Sequence, residues 1–108
     1  MATVQEVAEV VAKMAERFNA DKAGDLDATI QFDLGGDSGG MYWVKIAAGK
    51  CETGTGPAAN PAMTLKASGD DFFALATGKL NAMQAFMMGK VKVSDVQMGM
   101  KMMQIFAL

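Results

Sequence analysis

Asn81-Ala82-Met83-Gln84-Ala85-Phe86-Met87-Met88-Gly89-Lys90-Val91-Lys92-Val93-Ser94-Asp95-Val96-Gln97-Met98-Gly99-Met100-Lys101-Met102-Met103-Gln104-Ile105-Phe106-Ala107-Leu108 is the stretch on which the fold turns. Asn81, three residues before Gln84, starts a short helix through Met88 that Gly89 closes. Lys90 to Ser94 reads as a strand with lysines on one face, as edge strands often have. Asp95 caps a last helix over roughly residues 96–107. The polar side chains of that helix are Gln97, Lys101 and Gln104, spaced i, i+4, i+7 on one narrow stripe. A helix apolar nearly all round must be covered on more than one side. In a small domain the second cover is a ligand, a partner subunit or deep burial. The helix at 82–88 shares the feature, with Gln84 as its one polar side chain.

Working back toward the N-terminus, Ser68 and Asp71 form a capping signature that places Asp70 and Asp71 in the first turn of another helix. Phe72, Phe73, Leu75 and Ala76 follow, and Gly78 suits the C-terminal cap. Before it, Met63 to Ala67 alternates as a strand, and the proline- and glycine-containing segment 54–61 is a connection. Lys50 to Thr55, Met41 to Ala47, and Ala28 to Leu34 read as three further strands, the last alternating Ala28, Ile30, Phe32, Leu34 against Thr29, Gln31, Asp33. Residues 4–18 carry Val4, Val7, Val11, Met14 and Phe18 at helical spacing, behind a Thr3–Glu6 capping box. That helix ends between Asn19 and Gly24.

The 108 residues make one domain, 1–108, since two halves would each be too small for a core. With 51% apolar and 20% charged residues the composition is globular. No apolar run approaches the ~20 residues of a membrane span, and Met1 to Glu6 lacks the basic start of a leader. A single cysteine, Cys51, leaves no internal disulfide and fits a reducing, cytoplasmic compartment. A net charge of −2, with dispersed lysines and Arg17 as the one arginine, gives no reason to expect nucleic acid as a partner. The chain has no histidine, which removes the commonest general base and metal ligand. Eleven residues are methionine, and eight of these are Met63, Met83, Met87, Met88, Met98, Met100, Met102 and Met103. Methionine suits irregular apolar space, as a plastic core or as a surface accepting several partners.

Motifs that could carry chemistry reduce to turns and caps. Gly36-Asp37-Ser38-Gly39-Gly40 spells the surroundings of a serine-protease nucleophile, but no histidine base exists and the chain is about half as long as that fold requires. Gly54-Thr55-Gly56 echoes a phosphate loop, yet Pro57 follows and no helix starts there. Asp70 and Asp71 are explained by their helix start, and Cys51 has neither a histidine nor a second cysteine. No catalytic constellation, metal site or cofactor is therefore expected.

From Thr29 onward the segments resemble the sterol carrier protein 2 family. The matching stretches are Ile30-Gln31-Phe32-Asp33, Trp43, Gly49-Lys50, and Asp70 through Asn81. They continue as Gln84-Ala85-Phe86-Met87-Met88-Gly89-Lys90-Val91-Lys92-Val93 and end in Met100-Lys101-Met102-Met103-Gln104. The resemblance covers nearly the whole chain, and the last two runs carry most of its weight. Three positions depart from the family pattern. Ala82 stands where proline is common, Ser94-Asp95-Val96 where glycine often follows the fifth strand, and Phe106-Ala107-Leu108 where peroxisomal members end in a targeting tripeptide.

The resemblance implies an α+β fold: a five-stranded, largely antiparallel sheet covered on one face by helices, with an apolar tunnel between them. It implies a non-enzymatic carrier of sterol, fatty acid, acyl-CoA or similar molecules, with at most transient membrane contact, as a monomer or weak homodimer. The candidate wall comprises Met83, Phe86, Met87, Met98, Met102, Met103 and Phe106 from the helices. To these are added Ile30, Phe32, Trp43, Met63 and Leu65 from the sheet, and Phe73 from the middle helix. Arg17, Gln84 and Gln104 are candidates for a polar head group at the mouth. The alternative is a dimerisation or interaction module of the same fold, its apolar helices covered by another subunit.

Overall fold

The computed structural model describes residues 2–107. Helix α1 (Val4–Arg17) opens on the expected capping box, with Thr3 Oγ1 accepting the Glu6 N–H and the Glu6 carboxylate accepting the Thr3 N–H. A four-residue helix, α2 (Ala20–Ala23), lies in the segment where α1 was expected to run out. Asn19 caps it, and Gly24 ends it at a φ of 57°. Four residues are too few to show a hydrophobic period, so α2 leaves no pattern in the sequence.

Strands β1 (Ala28–Gly35), β2 (Gly40–Ala47) and β3 (Lys50–Thr55) form an antiparallel meander. Its second turn is the pair Ala48-Gly49, both at positive φ, the geometry that matches the twist of a two-residue hairpin. Strand β4 (Met63–Ser68) returns beside β1 and runs parallel to it, and the edge strand β5 (Val91–Val93) pairs antiparallel with β4. The sheet order is β3-β2-β1-β4-β5, five strands with one parallel pairing, as the mostly antiparallel expectation requires.

The β3–β4 connection is held by one buried polar side chain. Gln31 Nε2 donates to the carbonyls of Tyr42 at 2.9 Å and Gly56 at 3.2 Å, and its Oε1 accepts the Ala58 N–H. All of its main hydrogen-bonding capacity is thus used, which is the condition for burying an amide at little cost.

Helices α3 (Gly69–Ala76), α4 (Ala82–Met87) and α5 (Val96–Ile105) join α1 on a single face of the sheet. Each begins on a side-chain cap: Ser68 accepts from Asp71 N–H, Asn81 from Gln84 and Asp95 from Met98. The alternation of the strands sends Ile30, Phe32, Leu34, Tyr42, Val44, Ile46 and Met63 toward the helices. They meet Val7, Val11 and Met14 of α1, Phe72 of α3, and Met102, Ile105 and Phe106 at the C-terminal end. Burying each such side chain is worth about 1.5–3 kcal/mol, so this contact layer is the main favourable term in folding. A smaller cluster of Leu75, Ala85 and Val91 closes the β5 side.

Candidate functional site

Between the β4–β5 half of the sheet and the C-terminal helices the packing is incomplete, leaving a cavity of about 230 Å³. Its floor is Phe32 of β1, Met63 and Leu65 of β4, and Val91 and Val93 of β5. Met14 of α1 and Phe72 and Leu75 of α3 form the back. The remaining wall is Ala82, Met83, Phe86 and Met87 of α4 with Val96, Gly99, Met100, Met102 and Met103 of α5. Every lining residue is apolar, and none titrates. Phe32 and Phe72 meet at the back with ring centroids 5.2 Å apart.

Helix α5 shows how this space arises. Met102 and Ile105 turn into the core, Gln97, Lys101 and Gln104 face water, and the third side looks into the cavity. The second cover that the near-continuous apolar surface demands is therefore partly missing. Val96 and Met100 remain half exposed at the rim, beside Met83, Phe86 and Met87.

Eight of the thirteen wall candidates line this space: Phe32, Met63, Leu65, Met83, Phe86, Met87, Met102 and Met103. The other five lie elsewhere. Ile30 is fully buried beside Met63 in the sheet register, in the core rather than at the cavity. Trp43 has the opposite parity to Tyr42 and Val44, so it lies on the outer face of the sheet, paired with Gln31 and with Gly54. A Cβ at position 54 would fall within the indole ring, which explains the glycine. Phe73 points into a groove against α1, with Glu9, Val10 and Lys13. Met98 packs on the main core, and the wholly buried Phe106 meets Phe18 with ring centroids 5.9 Å apart.

Nine lining residues were not anticipated: Met14, Phe72, Leu75, Ala82, Val91, Val93, Val96, Gly99 and Met100. Phe72 was findable, since it shares a helical stripe with Leu75 whereas Phe73 does not.

A second recess of about 250 Å³ adjoins the cavity and shares Leu75, Ala82, Met83 and Met103 with it. Its other walls include Arg17, Leu80, Asn81 and Ala107. The Arg17 guanidinium is fixed there by two carbonyls, Ala76 at 2.8 Å and Ala107 at 3.0 Å, so it joins the ends of α1, α3 and α5. Those bonds use two of its five N–H donors. Gln84 is exposed on α4, and Gln104 lies in a shallow groove with Lys22, Met100 and Met103; neither lines the cavity.

The groups tested in the sequence as possible chemistry have structural places. The buried Ser38 hydroxyl donates to Asp70, and Asp71 lies in the capped first turn of α3. Cys51 is half buried against the core, and burial, with Glu52 beside it, pushes the thiol up to about 11. Among the described residues no group of three or more His, Cys, Asp or Glu side chains could hold a metal ion. No described helix is long and apolar enough to cross a membrane.

The model of the SCP-2 sterol transfer family matches residues 9–107. The chain belongs to that family. Solved structures agree with this SCP-2 assignment. Palmitated SCP2L2 from Aedes aegypti is similar at a TM-score of 0.76 and 19% identity, over 97% of this chain and 95% of that one. Sterol carrier protein 2 from Yarrowia lipolytica, in its apo form, gives 0.59 and 27% identity over 80% of each chain. The stereoselective inverting sec-alkylsulfatase Pisa1 from Pseudomonas sp. gives 0.69 and 25% identity. That match covers 88% of this SCP-2 chain, which spans only 15% of the sulfatase. A comparison with curated protein sequences gives no match.

Proposed function

We propose that this protein is a non-enzymatic carrier that takes up the apolar tail of a lipid-like molecule reversibly in the cavity under α4 and α5. The observation that carries the reading is the lining: all of its residues are apolar, several are methionines, and its mouth is open between Met83, Met87 and Met100. Such a wall offers no acid, base or nucleophile to a bound molecule, and its flexible side chains can close on chains of differing shape. Membership of the SCP-2 sterol transfer family and the likeness to a palmitated relative support the same reading.

The cavity of about 230 Å³ is small beside the ~300–1,000 Å³ usual for ligand sites. A long chain is accommodated by spreading the rim methionines and entering the adjoining recess. Burial is worth ~0.8 kcal/mol per CH₂, so a fatty acyl tail of about sixteen carbons contributes on the order of 12 kcal/mol gross. Lost rigid-body freedom and side-chain ordering offset about 4–15 kcal/mol of this, which allows a net affinity in the micromolar range. Such affinity suits loading and release.

Arg17, in the wall of the recess, supplies charge for an acidic head group, so a fatty acid is the preferred class of cargo. A single half-buried cysteine fits action in a reducing cytoplasm. The test is organic extraction of the purified protein and identification of any co-purified lipid. A monomer carrying lipid supports carriage, whereas a tight dimer without lipid supports the second reading, an interaction module. That reading is favoured by the similar domain forming part of a much longer sulfatase chain.

A further inference from the structure

The methionines that line the cavity fall into two sets. Met14, Met63 and Met102 are buried and face it from the core. Met83, Met87 and Met100 line it from the rim, where they stand 51%, 82% and 50% exposed. Half-buried Met103 joins this second set, since it also lines the two neighbouring recesses. Two further exposed methionines, Met41 and Met88, lie outside the lining.

The thioether is the one group of this wall that a mild oxidant can change, because the other lining residues are Phe, Leu, Val, Ala and Gly. Its sulfur reacts without ionising. The competing thiol, Cys51, is half buried and pushed up to about 11, so its thiolate is scarce. A sulfoxide makes a flexible apolar side chain polar. On an exposed rim the new S=O group stays hydrated while the cavity is empty, so the fold is little affected. A cargo that covers it strips that water away, and no lining side chain can donate a hydrogen bond in its place.

We propose that Met83, Met87, Met100 and Met103 form an oxidative modification site, at which a peroxide makes sulfoxides and thereby releases the apolar cargo. In each event a sulfur lone pair attacks one peroxide oxygen; the S–O bond forms as the O–O bond breaks. Sulfur is oxidised by two electrons, and the departing hydroxide takes the proton of the transferred oxygen and leaves as water. Dithiol-dependent methionine sulfoxide reductases, one for each epimer, return the thioether as the dithiol becomes a disulfide and the oxygen leaves as water. The inference rests on the carrier reading of the same cavity.

The test treats the intact protein with hydrogen peroxide, locates sulfoxides by peptide mass spectrometry, and measures uptake of a fluorescent fatty acid before and after. Oxidation of the four rim methionines is expected to weaken uptake about tenfold while the urea midpoint changes little. Treatment with both reductases should restore it. Saturating palmitate should slow oxidation of the four, yet leave Met88 and Met41, 64% and 41% exposed outside the lining, reacting as before. A variant with Met83→Leu, Met87→Leu, Met100→Leu and Met103→Leu should bind equally before and after peroxide, whatever its starting affinity. A Met41→Leu, Met88→Leu variant should lose uptake as the parent does. Undiminished uptake by the oxidised parent, an equal loss in the four-leucine variant, or palmitate protection of Met88 and Met41 to the same degree would overturn the proposal alone. Absence of uptake by the unoxidised parent would overturn the carrier reading and the proposal with it.

Discussion

The hydroxyl of Ser38, in the β1–β2 turn, donates a 2.8 Å hydrogen bond to the carboxylate of Asp70, in the first turn of α3. The same carboxylate oxygen accepts the backbone N–H of Ala2 at 3.0 Å. One side chain therefore holds the hairpin, the start of α3 and the approach to α1 together. The Ser38 bond first, and the Ala2 bond second, hold the Asp70 pKa below its ordinary value.

A lowered carboxylate pKa gives stability that is complete above the unfolded-state value and is lost as pH falls through the folded-state value. Asp70→Asn is accordingly expected to lower the urea midpoint at neutral pH. The gap between variant and parent should narrow as pH falls below about 4. Urea titrations at a series of pH values check this; a gap independent of pH would show that the ionised carboxylate is not the anchor.

Phe106 and Met103 are three residues apart but have different roles. Phe106 is wholly buried against Phe18, so Phe106→Ala should cost about 3–5 kcal/mol of stability. Met103 is half buried on the cavity wall, and Met103→Gln, close in shape, should fold normally. It should bind a fluorescent fatty acid about tenfold more weakly, from the loss of apolar contact. Chemical denaturation and displacement titration, run on both variants, separate the two effects.

Arg17 should discriminate between head groups. Arg17→Met is expected to weaken binding of a fatty acid about tenfold while leaving the matching fatty alcohol nearly unchanged. Because Arg17 also bonds the carbonyls of Ala76 and Ala107, some stability should be lost as well. Parallel calorimetric titrations with acid and alcohol check the split; equal losses for both would assign Arg17 to structure alone.

Cys51 should be slow to react. With its thiol pushed up to about 11 by burial and by Glu52, the thiolate is scarce near pH 8. Native protein is expected to react with a disulfide reagent roughly two orders of magnitude more slowly than the urea-unfolded chain. Stopped-flow measurement of both rates gives the comparison.

The features legible in the sequence were those set by neighbours in the chain. The caps at Thr3, Ser68, Asn81 and Asp95 stand where their side chains predict, because each depends only on the next three residues. The parallel pairing of β1 with β4 is set by contacts more than thirty positions apart and leaves no local mark. At the site, apolar composition located the C-terminal helices but could not tell a cavity wall from a core. Ile30 and Phe106 are as apolar as Met63 and Phe86, and only packing separates them. Trp43 was different, since it shares strand parity with Lys45 while Tyr42, Val44 and Ile46 alternate inward. Its outward position was therefore readable from the period of two.

The most direct test of a lipid tail in this cavity uses the methionines themselves. With the methionine methyl groups labelled by ¹³C, palmitate is titrated in and their resonances are followed. Met14, Met63, Met83, Met87, Met100, Met102 and Met103 line the cavity and should shift together with one saturating profile. Met41, exposed on β2 away from it, should not move. Saturable shifts confined to the lining methionines are the predicted result. Resonances that stay fixed, or that move at Met41 as much as at the lining, would contradict it.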